Sequence, residues 1–149
     1  MSADSTVYKA IDFIERNHEY PFFVNVWLHE PHTPHYPKEE YMKQFAHLDE
    51  QEQVYAAVLA KVDADIGQLM AKLKELNIDD HTLVIFSSDN GPEYTGKQKR
   101  TEDNSTGPGY GTYYSVGETG GLKGRKRSLL SGGVRTPFIA RCPSDMCMM

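Results

Sequence analysis

Apolar side chains at Val7, Ala10, Ile11 and Ile14 recur every three or four residues, which predicts a short amphipathic helix over residues 5–17. After Pro21 the pattern changes. Residues 22–28 form a compact apolar, aromatic and β-branched run that suits a largely buried strand. Prolines at 31, 34 and 37 then enforce an extended loop. Asp49 and Glu52 have the spacing of a capping box, and beyond them Val54, Val58, Val62, Ile66, Leu69, Leu73 and Leu76 mark one face of a long helix ending near Asn77. A second strand with buried-strand composition starts at Thr82 and runs through Leu83, Val84, Ile85 and Phe86.

Strand, long helix, strand is a βαβ crossover, implying a parallel pairing in an α/β sheet, with other strands free to lie between the two. Residues 91–121 show no period and are rich in Gly, Thr, Tyr and charge. A stretch of that length is usually functional or disordered. Residues 137–140 predict a short last strand, and residues 141–149 an irregular tail.

The length, 149 residues, fits one domain. With 39% hydrophobic and 25% charged residues the composition is globular, and no apolar run is long enough to span a bilayer, so no membrane is expected as a partner. A net charge of −5 argues against nucleic acid, although Lys97, Lys99 and Arg100, and again Lys123, Arg125, Lys126 and Arg127, form local basic clusters. The first residues carry no signal-peptide pattern, so the compartment is not encoded in them. Cys142 and Cys147 bracket a very short loop and are expected as free thiols or part of a frayed tail rather than a disulfide framework. Asn104, Ser105 and Thr106 form a glycosylation sequon, relevant only in a eukaryotic secretory protein.

Candidate chemistry begins where the second strand ends, at Asp89, Asn90 and Gly91. In open α/β sheets the carboxyl ends of strands border a ligand crevice. A carboxylate beside an amide suits Ca²⁺ or Mg²⁺, which prefer oxygen donors; the alternative is a simple helix or turn cap. His29, Glu30, His32 and His35 invite a zinc reading. The helical form of such a site needs histidines four apart, and Pro31 and Pro34 break any helix here, which leaves a loop-borne three-histidine site as the alternative.

Taken in order, residues 21–28, the His29-Glu30-Pro31-His32-Thr33-Pro34 segment, Asp89-Asn90-Gly91, Gly124-Arg125-Lys126 and Gly132-Gly133-Val134-Arg135-Thr136-Pro137 resemble the sulfatase family of the alkaline-phosphatase-like superfamily. The resemblance implies a partial alkaline-phosphatase-like fold, a mostly parallel sheet with flanking helices, and makes residues 1–149 a segment of a sulfatase catalytic domain. It implies that His32 faces the sulfate ester, that Asp89 and Asn90 ligate Ca²⁺, with Mg²⁺ less favoured, and that Lys126 binds sulfate. Lys123 and Arg125 do not fit the family offset from Gly132-Gly133. Ser131 and Leu130 stand where the family typically has Glu and Tyr, which weakens the support of Lys126.

The family's formylglycine, made from Cys or Ser in Cys/Ser-x-Pro-x-Arg, has no counterpart here, because in Cys142-Pro143-Ser144-Asp145 the proline directly follows the cysteine. The paired aspartates that complete the metal site are also missing. The segment alone is therefore expected to be nearly inert, with sulfated small molecules or glycans as the implied substrates and self-association through exposed sheet edges. The family suggests a periplasmic, secreted or lysosomal parent protein. A phosphonate or phosphate monoester hydrolase and a non-catalytic fragment are the alternatives.

Overall fold

The structure, a computed structural model, describes residues 3–94 and 109–143. The element order is α1 (Ala3–Asn17), α2 (Glu39–Gln44), α3 (Glu50–Glu75), a 3-10 turn (Asp79–His81), β1 (Val84–Ser87), a second 3-10 turn (Thr112–Tyr114), the one-turn α4 (Ser131–Val134) and β2 (Phe138–Arg141). The chain divides into two compact units. One holds Met1–His29, Val62–Ile85 and Ala140–Met149, and the other holds Glu30–Lys61 and Phe86–Ile139.

In the first unit α1 buries Val7, Ala10 and Ile14, and its part of α3 buries Val62 and Leu73. Lys72 joins the two helices, its ammonium lying 2.7 Å from Glu15 and 2.8 Å from Glu75. These carboxylates, Glu15 first, raise the Lys72 pKa above the usual lysine value. The end of α3 is a Schellman motif. Ile78 N–H donates to Leu73 O and Asn77 N–H to Lys74 O, both at 3.0 Å, with Asn77 at φ 56°. The other end is capped as the sequence predicts: Glu52 N–H donates to Asp49 Oδ1 at 2.9 Å. Buried Asp65 lies on α3 where the apolar pattern skips.

In the second unit α3 contributes buried Val54, Ala57 and Val58, and Tyr114 is also buried. Tyr110 and Tyr113 meet the Tyr114 ring edge-on at 4.8 and 5.0 Å. The described part of the long aperiodic stretch is thus a packed aromatic segment. It is held by an antiparallel bridge from Tyr110 to His35 and another from Val116 to Tyr94.

The sheet departs from expectation. Among the described residues it has two strands, β1 beside β2. They run antiparallel: Ser87 at the end of β1 donates its hydroxyl to Pro137 O just before β2, and Arg141 at the end of β2 pairs with Asp79 before β1. The mostly parallel sheet is not confirmed. Residues 22–28, expected as a largely buried strand, form no strand among the described residues, and Phe23 and Trp27 are 86% and 81% exposed. Both strands are exposed along most of their length as well. β-Branched and aromatic composition thus does not make a strand without the neighbours that would pair with it and bury it. Arg141 also proves to be strand rather than tail, drawn in by its 2.9 Å ion pair with Asp79. Cys142 is disulfide-bonded, not a free thiol. The sequon, the Lys97 to Arg100 cluster and Cys147 lie outside the described residues.

Candidate functional site

The second unit carries all four predicted site residues: His32, Asp89, Asn90 and Lys126. Asp89 and Asn90 follow β1 directly, and the Asn90 Nδ2 amide donates to Asp89 Oδ2 at 2.6 Å. Their heads are thus adjacent. Asp89 Oδ1 and Asn90 Oδ1 make no hydrogen bond to another described residue.

A seam of glycines fixes what lies beside this pair. Gly91 N–H donates to Gly133 O at 2.8 Å, and a Cβ on Gly91 would sit 1.8 Å from Gly132 O. No side chain fits there, so the backbones meet directly. Gly132 N–H in turn donates to Lys123 O, Ser128 N–H to Arg125 O, and Lys126 N–H to Pro92 O at 3.0 Å. The loop of residues 123–128 is thereby stitched to the strand end that bears Asp89 and Asn90. Gly124 adopts φ +84°, and a Cβ there would meet Ser128 Oγ at 2.5 Å. Gly132 and Gly133 thus permit close backbone approach without positive φ, whereas Gly124 has positive φ.

Within that loop the cations have different surroundings. Arg127 pairs with Glu93. The Arg125 guanidinium lies 5.8 Å from the centre of the Tyr94 ring, within cation–π range. Lys126 is half-buried and makes no ion pair among the described residues.

His32 is exposed, and its Nδ1 is 2.7 Å from Thr33 O. A carbonyl oxygen only accepts, so Nδ1 bears a proton and the neutral ring has its lone pair on Nε2. His35 is different: it is fully buried, with Nε2 3.2 Å from Ser115 Oγ and its ring edge-on to Tyr55 at 5.9 Å. Burial raises the Tyr55 pKa. His35 is a core residue, which removes the three-histidine zinc reading. Among the described residues no three His, Cys, Asp or Glu side chains are grouped to hold a metal.

The sulfatase family profile matches residues 1–145. The chain belongs to the sulfatase family. It is 30% identical over 146 residues to the N-acetylgalactosamine-6-O-sulfatase of Bacteroides thetaiotaomicron, covering 97% of this chain and 26% of that protein. It is 29% identical over 135 residues to rat (Rattus norvegicus) steryl-sulfatase, covering 91% of this chain and 21% of that one. The crystal structure of Ps i-CgsB in complex with k-i-k-neocarrahexaose superposes with a TM-score of 0.76 at 29% identity, over 95% of this chain and 28% of that chain. The chain thus spans about a quarter of the length of these sulfatases. The fold is a piece of the alkaline-phosphatase-like architecture.

Within this sulfatase segment, backbone hydrogen bonds bring Asp89, Asn90 and Lys126 to one seam. His35, three positions after His32, bridges to Tyr110, and Gly117 N–H donates to Glu93 O. Sequence reasoning missed the Arg125 and Tyr94 stack and the Arg127 and Glu93 pair. The signal for either was the cluster of cations at 123, 125, 126 and 127.

Proposed function

We propose that this chain supplies part of the site of a sulfate ester hydrolase, with Asp89 and Asn90 as metal ligands, Lys126 as the sulfate-binding cation and His32 as the imidazole at the ester oxygen. The single observation supporting it is the glycine seam, which ties the Asp89–Asn90 strand end to the Lys126 loop in a chain of the sulfatase family.

The Lys126 ammonium is a compact cation on a long stem, suited to hold the oxygens of a tetrahedral anion whose charge shifts as the S–O bond breaks. His32, with Nδ1–H on Thr33 O, presents an imidazole whose Nε2 can accept a hydrogen bond from, or donate one to, an ester oxygen's surroundings according to its protonation. The free oxygens of Asp89 and Asn90 fit Ca²⁺ or Mg²⁺ in kind, and two ligands fall short of the six to eight oxygens typical for Ca²⁺. When bound, the cation would neutralise sulfate oxygens and acidify the attacking group. No Cys/Ser-x-Pro-x-Arg occurs in the chain, so it is expected to contribute these groups without turning over substrate alone. The substrate is a sulfated small molecule or glycan.

Calorimetric titration of the chain with inorganic sulfate and with Ca²⁺ tests the reading. Lys126→Ala should weaken sulfate binding, and Asp89→Ala should weaken Ca²⁺ binding, each by about tenfold. A chromogenic sulfate ester should show no appreciable hydrolysis. Unchanged sulfate affinity in Lys126→Ala, or turnover by the chain with metal, would overturn the assignment.

A further inference from the structure

A chain of net charge −5 sets three cations, Lys123, Arg125 and Lys126, within four positions, and none has an ion-pair partner among the described residues. Their neighbour Arg127 does pair, with Glu93, so the loop does not simply lack carboxylates within reach. The loop is also rigidly built. Lys126 N–H is anchored on Pro92 O, Ser128 N–H on Arg125 O, and a Cβ on Gly133 would meet Ser128 O at 2.0 Å and Arg125 O at 2.6 Å. Arg125 therefore leaves a fixed backbone, and its guanidinium lies over the ring of Tyr94, 5.8 Å from the ring centre; Tyr94 is 42% exposed and its backbone bridges to Val116.

We propose that Arg125, supported by Tyr94, is a second anion subsite beside Lys126, selecting glycans with two anionic groups over singly charged sulfate esters. The inference rests on the assignment of Lys126 to sulfate and extends it to substrate class. A planar guanidinium with five donors binds sulfate or carboxylate oxygens in pairs, and stacking on an aromatic ring orients its fork while leaving its donors available. An exposed aromatic face next to an anion-binding arginine also provides an apolar surface for a sugar ring. Lys123 is equally charged, but no aromatic ring supports it among the described residues, so it contributes only diffuse potential, which salt screens.

The test is calorimetric titration of the full chain with a galactose disaccharide carrying one sulfate and the same disaccharide carrying two, at 0.15 M and 0.5 M salt. Wild type should prefer the disulfated ligand by about tenfold. Arg125→Ala should bring that ratio close to one, with an unchanged circular dichroism spectrum as the check of folding. Lys123→Ala should leave the ratio near its wild-type value, and Lys126→Ala should weaken both ligands while keeping a preference for the disulfated one. An Arg125→Ala ratio equal to wild type, an equal loss in Lys123→Ala, or no binding of the disulfated ligand would overturn the second subsite. Failure of Lys126→Ala to weaken either ligand would instead overturn the sulfate assignment beneath it.

Discussion

At the scale of single residues, the strictest requirement lies at Gly91, where the side-chain-free backbone of one strand end crosses that of Gly132. Gly91→Ala places a methyl 1.8 Å from a carbonyl oxygen, and the obstacle is backbone that cannot rotate away. Destabilisation of about 3 kcal/mol or more is expected, read as a lower thermal midpoint by circular dichroism. A midpoint within a degree or two of wild type would show that the seam is not closed in solution. Asn77 makes a smaller demand. Its φ of 56° suits Asn and Gly, so Asn77→Ala should cost about 1 kcal/mol while Asn77→Gly should be near neutral. Both sites could be suspected from the sequence, as a glycine after Asp89-Asn90 and an asparagine after the last helical Leu. Their different reasons, an occupied space for one and a left-handed backbone for the other, emerged only from coordinates.

At the scale of elements, α3 was the most legible part of the chain, because its apolar positions from Val54 to Leu73 and its Asp49 cap all point to one answer. Asp49→Ala should cost about 1 kcal/mol by leaving the Glu52 N–H uncapped, measurable by urea denaturation. The tie between α1 and α3 carries a pH signature. Glu15 and Glu75 raise the Lys72 pKa in the folded chain, so its contribution is complete below the unfolded lysine value of about 10.4 and is lost as pH rises through the folded value. As pH rises above the unfolded lysine value, the thermal midpoint of wild type should therefore fall more steeply than that of Lys72→Met. Parallel curves would remove the role given to this pair. The strands were less legible. Composition identified the strand at 84–87 but also pointed to one at 22–28 that does not form, and strand direction depends on partners far away in sequence: β1 paired antiparallel with β2.

At the scale of the whole molecule, the exposed apolar residues of the extended segments have a consequence for solution behaviour. Phe23 and Trp27 in the unpaired run, and Phe138 and Ile139 at 68% and 60% exposure on β2, are surfaces that water disfavours and strand edges that another chain can pair with. The chain should self-associate, giving a concentration-dependent mass in light scattering that falls when Phe23 and Trp27 are both replaced by Ser; a monodisperse monomer at all concentrations would contradict this. The sequence by itself determined α1 and α3, the capped start of α3 and its end near Asn77, and the family from which roles for His32, Asp89, Asn90 and Lys126 are proposed. These follow from local spacing and from short motifs, which survive without knowledge of neighbours. Tertiary structure alone decided that β1 and β2 run antiparallel, that His35 is a core residue held by Ser115 and Tyr55, and that Arg125 rests on Tyr94 while Arg127 turns to Glu93. Each of these is a contact between residues at least 20 positions apart, set by which backbones can approach, and no local pattern of residue types encodes that.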